Sequence, residues 1–182
     1  MSLDLILGPM FAGKTELLIR YIRRYTILGY TICTIKPNID VRYTTKNELC
    51  SHNQETETCH MIPVDELETI LDLPMYQSAK VIVIEEGQFF KDIASVVKRM
   101  LDHDRKHIYI SALNGDSQRE LFGDIYKLIP LCTHIEWLSA LCKSCKDGTS
   151  AVYSKRKAKQ DQQIHVASDD VYESVCLKHY LE

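Results

Sequence analysis

Residues 8–15 read GPMFAGKT and fit G-x-x-x-x-G-K-[ST]. Glycines let a backbone curl until its N–H groups converge, and a helix opening directly afterwards adds partial positive charge at the same spot. Such a loop binds phosphate. Lys14 is placed to reach the outer phosphates of a nucleoside triphosphate, and the Thr15 hydroxyl to ligate Mg²⁺. The motif leaves open whether water or a second substrate attacks the nucleotide.

A second group of reactive residues closes the stretch VIVIEEGQFF, residues 81–90. In doubly wound sheets ligands sit beyond the carboxyl ends of the strands. If this strand neighbours the first one, Glu85 and Glu86 face the bound phosphates. One carboxylate then holds Mg²⁺ directly or through water, and the other accepts a proton from an attacking hydroxyl. Phe89 and Phe90 belong either to the core or to a surface that stacks on a base or sugar.

The third group is Cys142-Lys-Ser-Cys145 with Cys176-Leu-Lys-His179. Three thiolates and one imidazole make a closed tetrahedral set for structural Zn²⁺, since a catalytic zinc keeps one position open. A redox C-x-x-C would belong near a βαβ unit, and this pair lies late in the chain. Zinc here would staple residues 146–175, a stretch with few apolar side chains of its own.

Positioning these groups calls for an alternating fold. Residues 3–7, 31–35, 81–84 and 108–110 are apolar runs, and the run at 81–84 is β-branched throughout, as expected of a strand covered on both faces. Helical spacing appears at residues 15–28, with Leu18, Ile22 and Tyr25 on one face and Arg20, Arg23 and Arg24 on another. It recurs at residues 91–103, and residues 65–71 suit a short helix. Strand and helix in alternation predict an α/β parallel sheet. Residues 38–60 are polar and aperiodic and read as a long mobile loop, and a boundary falls near Ala140.

The whole chain has 182 residues, 45% hydrophobic and 26% charged, which fits one globular domain with a small appendage. Its net charge of −3 disfavours bulk nucleic-acid binding. No run is long and apolar enough to span a membrane, and no signal peptide is visible. The seven cysteines are unevenly placed, which points to reduced thiols and metal rather than disulfides. A nucleic-acid-linked ATPase is the competing reading, with SKRKAK (residues 154–159) against phosphates; a solvated charged loop is the plainer account of that stretch. No N-K-x-D motif for guanine is present.

Together these residues resemble the type II thymidine kinase family, whose fold is shared by animal cytosolic, bacterial and poxviral-type enzymes. The similarity runs from residue 5 to about residue 180. The family's GPMF[SA]GK[ST] is matched by residues 8–15, and D-x-R-Y by Asp40-Val41-Arg42-Tyr43. Its [DE]-E-G-Q-F-F is matched by residues 85–90, Q-R-x-x-F-G by residues 118–123 and Y-x-S-x-C by residues 172–176. Departures are Glu85 for the usual Asp, His179 for a cysteine of many members, Ser117 where animal enzymes carry an aromatic, and ASDD (167–170) without the usual glycine pair.

The resemblance implies a P-loop, RecA-like parallel sheet flanked by helices over residues 1–140. A zinc-binding lasso subdomain, residues 141–182, closes over the nucleoside. The implied reaction moves the γ-phosphoryl of ATP to the 5′-hydroxyl of thymidine, giving dTMP. Gly8, Pro9, Met10, Phe11, Ala12, Gly13, Lys14 and Thr15 would bind ATP, with Thr15 and Glu85 associated with Mg²⁺. Glu86 would be the general base, and Arg42 would stabilise charge on the transferring group. Met10, Phe89, Leu113 and Tyr172 would surround the nucleoside, and Ser154 and His165 lie where they can line the base pocket. Cys142, Cys145, Cys176 and His179 would hold zinc. A cytoplasmic homotetramer with feedback by dTTP, and no nucleic-acid or membrane partner, completes the expectation.

Overall fold

The structure is a computed structural model and describes residues 1–39, 48–50, 56–63, 66–157 and 171–182. Arg42 and His165 lie outside the described residues, as do the D-x-R-Y motif and the ASDD segment.

In chain order the elements are β1 (Ser2–Gly8), α1 (Lys14–Ile27), β2 (Ile32–Pro37), β3 (Glu48–Cys50), β4 (Thr56–Thr58), β5 (His60–Ile62) and α2 (Pro74–Ser78). Then come β6 (Val81–Ile84), α3 (Ile93–Asp102), β7 (His107–Leu113), β8 (His134–Trp137), β9 (Ala140–Leu141), β10 (Ser150–Ala151), β11 (Tyr153–Arg156), β12 (Tyr172–Val175) and α4 (Leu177–Leu181). Six strands form one sheet in the order β5-β2-β6-β7-β1-β8, and each pairing in it is parallel.

Burial on both faces explains the apolar runs. Val81, Ile82, Val83 and Ile84 are all fully buried. Alternate residues of each strand feed two cores. On one face Leu5, Ile82, Ile84, Ile108 and Ile110 meet Ile93, Val96, Val97 and Met100 of α3. On the other, Ile6, Val81, Val83 and Tyr109 meet Leu18 and Ile22 of α1, one turn apart. Arg20, Arg23 and Arg24 stay on the exposed side of α1.

Three expectations change. The polar stretch 38–60 is not all loop: β3 and β4 pair as an antiparallel hairpin within it. Leu49 is its apolar anchor, fully buried against the Leu18 and Ile22 core. The helix expected at 65–71 is a 3-10 segment, Leu67–Asp72, followed by α2 with Pro74 in its first turn. Finally, β6 does not neighbour β1, because β7 lies between them. From Ala140 onward the strands leave the main sheet and form the small antiparallel pairs β9–β10 and β11–β12.

Candidate active site and metal centre

The phosphate-type loop joins β1 to α1. Gly8 ends the strand beneath Leu138, where a Cβ would lie 2.6 Å from the Leu138 carbonyl oxygen. Gly13 turns into the helix at φ 80°, a left-handed conformation natural to glycine. Phe11 is left-handed as well, at φ 63°. Lys14 is buried, and its Nζ donates to the carbonyls of Pro9 (2.7 Å) and Gly8 (3.2 Å), so the ammonium is folded against its own loop.

The two acids stand at the carboxyl end of β6, both buried. The Thr15 hydroxyl donates to Glu85 Oε1 at 2.5 Å. The helix start and the β6 end thus touch across the intervening β7. Glu86 turns the chain out of the sheet at φ 51°, a left-handed conformation unusual for a side-chain-bearing residue. Its N–H donates to Ser111 Oγ at 3.3 Å, and its Oε2 accepts from Gln88 Nε2.

Residues expected around a nucleoside fall into distinct places. Phe90 is fully buried in the α3-side core, whereas Phe89 is half-buried and meets Phe122 edge-to-face, centroids 5.3 Å apart. Leu113 ends β7, and its N–H donates to Gln88 Oε1 at 3.2 Å. Met10 is buried, and its N–H donates to Ser154 Oγ at 2.9 Å. Tyr172 is buried on β12, where its hydroxyl accepts from Arg156 Nη2 at 2.6 Å. Ser117 offers its carbonyl to the Tyr180 hydroxyl (2.9 Å), and the Arg119 guanidinium lies 4.7 Å from the centre of the Tyr180 ring.

Cys142, Cys145, Cys176 and His179 converge, their ligand atoms all within 4.8 Å of one another. Measured edges are 3.8 Å between the Cys145 and Cys176 sulfurs, and 3.6, 3.4 and 3.3 Å from His179 Nδ1 to Cys142, Cys145 and Cys176. A tetrahedron with Zn–S of about 2.3 Å and Zn–N of about 2.0 Å requires S···S edges of about 3.8 Å and S···N edges of about 3.5 Å. The four residues therefore fit zinc. The other imidazole nitrogen, Nε2, faces a Glu182 carboxylate oxygen at 3.8 Å, beyond hydrogen-bond range. Desolvation pushes the Cys142 thiol up, but backbone N–H groups of Cys176, Cys145 and Ser144 outweigh it and bring it down to about 6. The Cys145 thiol is pushed up to about 11, by desolvation first and then by its hydrogen bond with Cys142.

This metal-type cluster borders the phosphate loop. Ala140, Cys142, Ala151 and Val175 form a small core against which Phe11 and Ala12 pack. The Lys143 ammonium lies 4.7 Å from the centre of the Phe11 ring. Sequence reasoning did not anticipate that Ser154 is bonded to Met10, nor the roles of Ser111 and the Leu138 carbonyl. Gln88 lay inside a recognised motif, but its partners are visible only in three dimensions.

A strand–loop–helix phosphate cradle and a carboxylate pair at the carboxyl edge of a parallel sheet define a P-loop nucleotide-binding protein. The chain belongs to the thymidine kinase family, whose model, Thymidine kinase, matches residues 1–180. It is 37% identical over 180 residues to the thymidine kinase of rabbit fibroma virus (strain Kasza), covering 98% of this chain and 95% of that one. It is 38% identical over 187 residues to that of vaccinia virus (strain Western Reserve), covering 99% and 97%. With the enzyme of sheeppox virus (strain KS-1) it shares 37% over 179 residues, covering 98% and 96%. A solved structure, the flagellar accessory protein FlaH of Methanocaldococcus jannaschii, overlaps 62% of this chain and 61% of its own at 17% identity and a TM-score of 0.41; the strand order above, not that overlap, defines the fold.

Proposed function

We propose that this chain is an ATP-dependent thymidine kinase in which Glu86 is the base and residues 8–15 hold the phosphate donor. The observation that carries the residue assignment is the contact of Thr15 with Glu85, which brings the loop end and the acid pair to one point. The 5′-hydroxyl of thymidine gives its proton to the Glu86 carboxylate while its oxygen bonds to the γ-phosphorus. The bond from that phosphorus to the β–γ bridging oxygen breaks, and ADP leaves. Lys14 and the loop N–H groups stabilise charge on the phosphates. Mg²⁺ bound with ATP would be held by Thr15 and Glu85 and would neutralise the growing charge on the phosphates.

Arg42 is assigned to the transferring group, and Met10, Phe89, Leu113 and Tyr172 to the nucleoside, by family resemblance; Ser154 and His165 are assigned to the base pocket by their place on the lasso segment. Cys142, Cys145, Cys176 and His179 hold structural zinc in this reading. It also divides the chain at residue 140 and expects a cytoplasmic homotetramer inhibited by dTTP; sedimentation and dTTP titration test the last two. No helix among the described residues is long and apolar enough to cross a membrane.

The test is label transfer from ATP with Mg²⁺, offering thymidine, deoxycytidine, deoxyguanosine or no nucleoside. Transfer to thymidine alone is expected. Steady hydrolysis without labelled nucleotide would overturn the assignment. Glu86→Gln is expected to lower kcat by about 10² to 10⁴ with ATP binding retained; turnover close to wild type would remove Glu86 as base.

A further inference from the structure

We propose that Gln88 is a positioning residue, holding the Glu86 carboxylate in its proton-accepting orientation and tying it to the end of β7. The proposal rests on the assignment of Glu86 as the base. Gln88 is 3% exposed. Both ends of its amide are used: Nε2 donates to Glu86 Oε2, and Oε1 accepts from the Leu113 N–H at 3.2 Å. The orientation of the amide is fixed by chemistry. A backbone N–H only donates and an ionised carboxylate only accepts, so a flipped amide would oppose both partners.

The backbone around Gln88 is clamped. A Cβ on Gly87 would meet Ile110 at 2.7 Å and Ile93 at 2.9 Å. Gly123, at φ 63°, presses so closely on Gln88 that a Cβ there would lie 2.1 Å from its carbonyl oxygen. The backbone of the turn is therefore closely packed, and Ile110, Ile93 and Gly123 lie against it. Volume alone could be filled by methionine or leucine at less desolvation cost, because burying an amide is unfavourable unless its hydrogen bonds are made. The two bonds made here connect the base to Leu113. With the Glu86 N–H held by Ser111, the residue is fixed at both backbone and carboxylate.

The test uses the full chain with Mg·ATP and thymidine. Gln88→Glu keeps an oxygen for the Leu113 N–H but replaces the donor to Glu86 by an acceptor. The expected result is a kcat about 10²-fold lower, the loss typical of a misplaced reacting group, with KM for Mg·ATP unchanged. The acid limb of the kcat profile should move to higher pH, because a carboxylate beside Glu86 favours its protonated form. A merely structural role would lower the thermal midpoint and leave the pH profile in place. In the Glu86→Gln background the Gln88 change should add no further loss. Wild-type kcat and a superimposable pH profile would overturn the proposal. If Gln88→Glu does not fold, Gln88→Met is measured in the same way, with a similar loss of kcat expected and wild-type kcat again overturning it. An inactive Glu86→Gln with wild-type Gln88 variants removes the positioning role alone; an active Glu86→Gln removes the base and this role together.

Discussion

In the six-stranded sheet, reactive side chains hang from strands that are themselves buried among branched aliphatic residues, and the acid pair follows four fully buried residues of β6. From Ala140 onward the buried apolar residues, among those described, are Ala140, Cys142, Ala151, Tyr172 and Val175, and one of these is a metal-type ligand. The sheet region rests on apolar burial, whereas the C-terminal segment, with its smaller core, brings four metal-type ligands together. With zinc held by that set, the first region would be vulnerable to lost volume and the second to lost metal. The two meet at Phe11, Ala12 and the bond from Met10 to Ser154, so the phosphate loop depends on both.

The largest expected effect comes from zinc removal. Structural zinc contributes about 10 kcal/mol or more to the folding of small metal-held units. Chelation, or Cys145→Ala, should abolish order beyond Ala140 and thymidine phosphorylation while far-UV circular dichroism still reports the sheet. Loss of the whole fold in one transition would break the comparison. Leu5→Ala, at a fully buried position in β1, should cost about 2–5 kcal/mol in denaturant unfolding with zinc content unchanged. Ser154→Ala strips the acceptor from the Met10 N–H and should cost about 1–3 kcal/mol of stability, read by denaturant unfolding at constant zinc content. A smaller effect should follow acidification. Coordinating sulfur must be deprotonated and protons compete with the metal for it, so zinc release into a colorimetric chelator should rise as pH falls.

The same contrast explains what could be read from the chain. The strand at 81–84 was legible because burial on both faces leaves an unbroken apolar run, and the one at 3–7 because only Asp4 interrupts its apolar residues. The ligand set was legible because C-x-x-C and C-x-x-H spacing is dictated by coordination, and the four residues do converge. The short β5 and the edge strand β8 were not, since three residues (HMI) and an exposed-ended HIEW carry no such run. The β3–β4 hairpin hid because its apolar anchor, Leu49, stands in polar sequence surroundings. Strand order was not legible either, because periodicity says which face a residue uses and nothing about which strand lies beside it. The contacts of Gln88 and Ser154 join positions distant in sequence. Arg42, assigned by resemblance, and His165, assigned by its place on the lasso segment, lie outside the described residues.

The position of β7 between β1 and β6 acts as a spacer of fixed thickness. Two strand intervals, each about 4.8 Å, separate the backbone that carries the phosphate loop from the one that carries the acids. Interstrand hydrogen bonding sets that interval, so side-chain substitutions on the spacer leave it nearly unchanged. The width of the cleft is thus a constant of the sheet, and fine adjustment falls to the reach of the side chains that span it. At position 85 a glutamate, one methylene longer than aspartate, makes that reach and meets the Thr15 hydroxyl.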